Sequence, residues 1–151
     1  MTRLASAFGE TTSLRTKTFE LGGHTFKVRI PLSKELDALH ERVAKIDQAE
    51  FKKRFDKMTS SFRDSEAVEG ILVTEDDVVV EGRSTKDLVE TILQMEARMV
   101  EYIKLLIPEN GTLDDITYED VEAEWPMAVQ LEILAKISEA IQPGYKDSRK
   151  N

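Results

Sequence analysis

Cysteine is absent from the 151 residues, which excludes disulfides, thiolate metal sites and thiol nucleophiles together and suits a reducing compartment. Histidine is nearly absent as well. His24 and His40 stand alone, in no HExxH or other ligand-spaced pair, so neither is expected to bind metal or act as a catalytic base. The chain has no GxxxxGK[ST] phosphate loop and no GxSxG elbow, and Gly22-Gly23 before His24 has the spacing of a turn, not of a dinucleotide fingerprint. No apolar run approaches the length that spans a bilayer, and the start MTRLASAFGETTSLRTKTF has no signal-peptide core. A non-catalytic, cofactor-free cytoplasmic protein with no membrane association is the expectation.

What the chain does have is charge, and unevenly. Residues 1–63 carry 13 Lys and Arg against 8 Asp and Glu, whereas residues 64–151 carry 8 against 21, for an overall charge of −8. A bulk negative charge argues against direct nucleic-acid binding, which draws its affinity from clustered cations. Attraction between the two halves, or self-association through oppositely charged subunits, is the simpler reading.

The length suits one domain with its own core, expected over 17–143 between a loose arm (1–16) and a flexible tail (144–151). Lys17–Leu21 and Thr25–Ile30 alternate apolar residues about Gly22-Gly23, which predicts a β-hairpin. Ser33 then caps a helical pattern running from Leu36 to Phe62, with a single five-residue gap between Ile46 and Phe51 that allows one long helix or two. ILVTEDDVVVEG, from Ile71, predicts a second hairpin with its tip at Glu75-Asp76-Asp77, and the two hairpins together predict one small antiparallel sheet. A capping box at Ser84 and Asp87 opens a helix with the seam Leu88, Ile92, Met95, Met99, Ile103 and Leu106, ended by Pro108 and Asn110-Gly111. A second box at Thr117 and Asp120 opens the last helix, about Tyr118–Ile141, which Pro126 must kink or restart before Pro143-Gly144 stops it. The fold expected is α+β, three long helices packed with that sheet.

Two patches are candidate partner-binding surfaces. Tyr118, Val121 and Trp125 share one helix face and read either as a core-facing edge or as interface anchors, since Trp and Tyr dominate binding energy at interfaces. Arg42, Lys45, Lys52 and Lys53, with Arg54 and Lys57, form the basic cluster of the first helical region, either a solvated face or a site for an acidic protein. Met95, Met99 and Met127 carry the same ambiguity between core packing and an adaptable groove. The carboxylates from Asp114 to Glu124 lack the alternating ligands and central glycine of a calcium loop and are accounted for by the positive end of a helix.

KTFELGGHTFKVRI, VVVEGRSTKDLVE and ITYEDVEAEWPMAVQLEILAKISEAIQPGYKDSRKN, taken together, resemble the tail assembly chaperones of long-tailed (siphovirus-type) bacteriophages from about Lys17 onward. The resemblance implies a protein of the infected cell's cytoplasm that engages the tape measure protein and tail tube protein during tail assembly and does not remain in the virion. In that family the reading frame is often shifted near the gene's end, and Arg149-Lys150-Asn151 fits a slippery A-AAA-AAC stretch or, equally, an ordinary polar terminus. Two rival expectations are an acidic nucleic-acid mimic that inhibits a host DNA-binding enzyme, supported by the −13 balance after residue 63, and a head-tail connector.

Overall fold

Two consecutive glycines with positive φ, 60° at Gly22 and 80° at Gly23, close the first hairpin in a two-residue turn that matches strand twist. The computed structural model describes residues 3–9, 11–63 and 69–142. In chain order they form α1 (Arg3–Phe8), a 3-10 turn (Thr12–Arg15), β1 (Thr16–Leu21), β2 (His24–Arg29), α2 (Ser33–Ala44), α3 (Gln48–Arg63), β3 (Ile71–Val73), β4 (Val78–Val80), β5 (Arg83–Ser84), α4 (Thr85–Ile103), α5 (Tyr118–Glu124) and α6 (Met127–Ile141). The class is α+β and mainly helical, as the sequence implies. The chain divides into two compact units, one from Met1–Leu39 with Met99–Asn151 and the other His40–Arg98, the division falling within α2 and within α4.

The two hairpins do not share a sheet. β1 and β2 pair antiparallel by themselves, and β3, β4 and β5 form a separate three-stranded sheet. The outer edge of β2 is already taken. The segment leaving α4 occupies it, with Val28 bridged to Leu106, the Arg29 amide donating to the Leu105 carbonyl at 2.8 Å and the Ile107 amide to the Lys27 carbonyl at 2.8 Å. An edge already paired offers no second strand a place. The same bonds stop α4 at Ile103, three residues short of the Leu106 at which its predicted seam ends.

Two of the three expected long helices are each two. Asp47 accepts the Ala49 and Glu50 amides at 2.9 and 3.2 Å, restarting the helix as α3 at the gap between Ile46 and Phe51. Pro126 does the same between α5 and α6, serving as N-cap of α6 in extended conformation. The segment read as a loose arm carries α1 and the 3-10 turn. Within it Arg15 donates to the Ile30 carbonyl at 3.1 Å and to Glu35 at 2.8 Å, while the Ile30 amide donates back to the Arg15 carbonyl at 2.7 Å. The tail at 144–151, the Pro143-Gly144 stop and the tripeptide Arg149-Lys150-Asn151 lie outside the described residues.

In the unit containing both termini, α6 packs on the β1–β2 hairpin. Val28, Ile133 and Ile137 are fully buried, Ile133 and Ile137 one turn apart on the inward stripe of α6. Each such side chain contributes about 1.5–3 kcal/mol by its removal from water. Glu35 accepts the Leu32 amide at 3.1 Å, and that bond, opposed by burial and helped by Arg15 and Arg29, holds its carboxyl below the ordinary value.

In His40–Arg98 the buried residues include Phe55, Thr59, Val78 and Val89. The seam of α4 opens at Val89, 1% exposed, and not at Leu88, 49% exposed, while Met99 and Ile103 further along the helix are buried as their spacing predicts. Glu96, a carboxylate, is buried in that seam because Arg54 grips both its oxygens at 2.8 Å each, and Arg54 also reaches Glu50 at 3.3 Å. Asp77 ties the sheet to α4. It accepts from the Val78 amide at 2.8 Å, from the Lys86 amide at 3.1 Å and from the Ser84 hydroxyl. Burial works to raise its carboxyl, but the Ser84 hydroxyl, the two amides and the Lys86 charge together outweigh it and hold the group below its ordinary value. The predicted box at Ser84 is half present, the Asp87 amide donating to Ser84 at 3.3 Å, while Asp77 caps the preceding amide, that of Lys86.

Candidate docking site

The break at Trp125-Pro126 follows from proline chemistry. A residue before proline is pushed out of the helical region, and Trp125 is extended, with φ −119° and ψ 121°. α5 therefore ends after seven residues, having begun at a complete capping box in which Thr117 and Asp120 satisfy each other's amides. Gln130, one turn into α6 and 2% exposed, holds the break closed. Its amide nitrogen donates to the Trp125 carbonyl at 2.8 Å, and its amide oxygen accepts the Tyr118 hydroxyl at 2.9 Å. One neutral side chain thus satisfies polar groups on both sides of a helix interruption.

The Trp125 side chain, half-buried, lines a cavity of about 580 Å³. Phe26, Ile103, Leu106 and Ile107 are among its apolar walls, and the loop before α5 adds Leu113 and Ile116. The Phe26 ring is fixed by stacking on Phe19 at 5.2 Å and by an edge contact with His24 at 4.6 Å. Polar groups at the cavity are His24, Lys27, Glu109 and Glu124, with His24 and Glu109 3.7 Å apart. A second, shallower trough of about 460 Å³ shares Leu113, Ile116 and Glu124 with the cavity and adds Asp115 and Asp120. From Leu105 to Leu131 the chain carries seven Asp and Glu and no Lys or Arg. Against the one lysine at the cavity, Lys27, stand Glu109 and Glu124 there and Asp115 and Asp120 in the trough, so the local charge is net negative.

The residues singled out from the sequence do not form one surface. Trp125 lines the cavity, but Val121 is 3% exposed and belongs to the core, and Tyr118 is committed to Gln130. Tyr118 and Val121 are structural neighbours of the site and not part of its wall. Arg42, Lys45, Lys52 and Lys53 are all exposed and lie in His40–Arg98, the other unit. Met99 is buried at 1% and is core, whereas Met127 is 45% exposed. Of the carboxylates from Asp114 to Glu124, Asp120 is engaged in the helix cap, and among the described residues no group of three potential ligands is placed to hold a metal ion. No helix of the described residues is long and apolar enough to cross a membrane.

Most of the cavity was invisible to residue spacing. Its wall converges from β2, the exit of α4 and the loop before α5, three segments separated by up to about a hundred residues of sequence. Trp125 was the one wall residue singled out by its type, whereas Ile107, 41% exposed, sits four residues after Ile103 and reads as a continuation of the α4 stripe. Comparisons with protein-family models, with curated proteins and with solved structures found no match for the chain.

Proposed function

We propose that this chain is a non-catalytic assembly chaperone of bacteriophage tails, which binds the tape measure protein and tail tube protein in the host cytoplasm and leaves before the particle is complete. The observation that supports the reading best is the apolar cavity at Trp125. A tape measure protein is long and helical and exposes apolar stripes until the tube encloses it, and a factor that covers those stripes needs an apolar receptor and a net charge far from zero. The cavity supplies the first, with Trp125 and Ile107 reachable from solvent. The charge of −8 supplies the second.

Co-expression with the tape measure protein encoded nearby tests this directly. Wild-type chain should raise the soluble yield and co-purify, and Ile107→Asp, at an exposed wall position, should lose the partner while keeping its circular dichroism spectrum and melting temperature. Retention in finished particles would favour a head-tail connector, and specific inhibition of a host DNA-binding enzyme would favour a nucleic-acid mimic. Either result, or an unchanged partner yield, would defeat the chaperone reading.

A further inference from the structure

We infer that the cavity at Trp125 receives an apolar side chain from a basic amphipathic segment of the partner, with lysine or arginine near the inserted group lying along the trough of Asp115 and Glu124. This rests on the docking reading above and adds the chemistry of what docks.

The cavity decides what is inserted. About 580 Å³ is the room of a small-ligand site and accepts a leucine or phenylalanine side chain with part of the turn that carries it. Phe26, Leu106 and Trp125 make an apolar wall that favours an apolar insert, while Lys27, Glu109 and Glu124 are the charged residues that also line the cavity.

Charge decides what flanks the insert. The trough shares Leu113, Ile116 and Glu124 with the cavity, so a segment seated in the cavity passes near Asp115 and Glu124. Both carboxylates belong to exposed residues, and Glu109 stands at the cavity with 74% of its side chain exposed. Glu109, Asp115, Asp120 and Glu124 line the cavity and trough against one lysine, Lys27, so the charge there is net negative, and it acts over distances comparable to the Debye length of about 10 Å. An acidic segment is repelled there, and so is a phosphate backbone. On an amphipathic helix, residues three or four apart are neighbours on one face, which sets the spacing between the inserted group and its basic companions.

The test uses three synthetic helical peptides on an alanine background. The first carries a Leu and a Phe four residues apart with flanking lysines, the second replaces the lysines by glutamates, and the third replaces Leu and Phe by serines. Trp125 is the chain's sole tryptophan, so its emission reports occupancy of the cavity. The basic apolar peptide should bind and shift that emission to shorter wavelength, with affinity falling as salt is raised. The other two should bind at least about tenfold more weakly, or about 1.4 kcal/mol. Asp115→Lys combined with Glu124→Lys, both at exposed positions, should weaken the lysine peptide and strengthen the glutamate peptide, a reversal that a general loss of structure does not produce.

Equal affinity for the lysine and glutamate peptides would overturn the inference. So would binding without any change in Trp125 emission, indifference to the charge reversal, or self-association of the chain that excludes the peptide. Binding of the basic peptide without binding of the tape measure protein would uphold the inference and defeat the phage reading. Capture of the tape measure protein without the peptide would do the opposite.

Discussion

Among the described residues one of the two units buries a charge and the other buries a neutral amide. His40–Arg98 buries the carboxylate Glu96, gripped through both oxygens by Arg54, beside the neutral hydroxyls of Thr59 and Thr85. The unit with both termini buries the neutral amide Gln130, which closes the break between α5 and α6 from 2% exposure. A buried ion pair is intolerant of losing one member, because the survivor keeps its desolvation cost without its partner. A buried amide costs less to orphan and adds no charge.

Substitutions can break that comparison at decreasing levels of force. The largest effect is expected for Met99→Asp, which places an unpaired carboxylate at a site 1% exposed and should cost several kcal/mol, on the order of a domain's whole stability. Circular dichroism should show an unfolded chain, whereas Leu88→Asp on the same helix, at 49% exposure, should fold normally. Equal damage from both would mean that the seam of α4 is misassigned.

Next come the two buried polar devices. Arg54→Met strands Glu96 and should destabilise by about 3 kcal/mol, with Arg54→Met combined with Glu96→Met recovering much of the loss in chemical denaturation. Gln130→Leu leaves the Trp125 carbonyl and Tyr118 hydroxyl without this partner and should cost about 2 kcal/mol. If Gln130→Leu proved the more damaging of the two single changes, the contrast between charged and neutral anchoring would fail.

Acid titration sharpens the contrast further. Asp77 in His40–Arg98 and Glu35 in the other unit both have carboxyls held below their ordinary values of 3.8 and 4.5. A lowered folded value means the folded state favours the ionised form. Its stabilisation is present above the ordinary value and disappears as pH falls through the folded one. Melting temperature should therefore drop below about pH 4.5, and Asp77→Asn and Glu35→Gln should each flatten part of that drop. The smallest effect is a gain. Glu81 holds a positive φ of 49° before Gly82 in the β4–β5 turn, so Glu81→Asn should raise stability by about 0.5 kcal/mol.

Local chemistry was the readable part of this fold. The Gly22-Gly23 hairpin, the Thr117–Asp120 box and the interruption at Pro126 each depend on neighbours within a few residues, and each appears where the sequence places it. Asp47 was overlooked as a cap because the apolar steps on either side nearly join across it. The position of Glu96 in the α4 seam was hidden because its partner lies 42 residues away, and no periodicity announces a buried carboxylate. β5 escaped notice because Glu81-Gly82 is an unusual pair for a two-residue turn. The cavity shows the limit most clearly. Trp125 was legible as a candidate, while Phe26 and Ile107 join it only through tertiary pairing of β2 with the segment after α4.

The central claim is that the cavity at Trp125 is where the partner inserts. Titrating the intact chain with a recombinant helical segment of the tape measure protein, while following Trp125 emission, tests it most directly. The account predicts a saturable shift to shorter wavelength that disappears in Ile107→Asp at unchanged melting temperature. Binding detected by another probe while Trp125 emission stays constant, or a shift that survives Ile107→Asp, would contradict it.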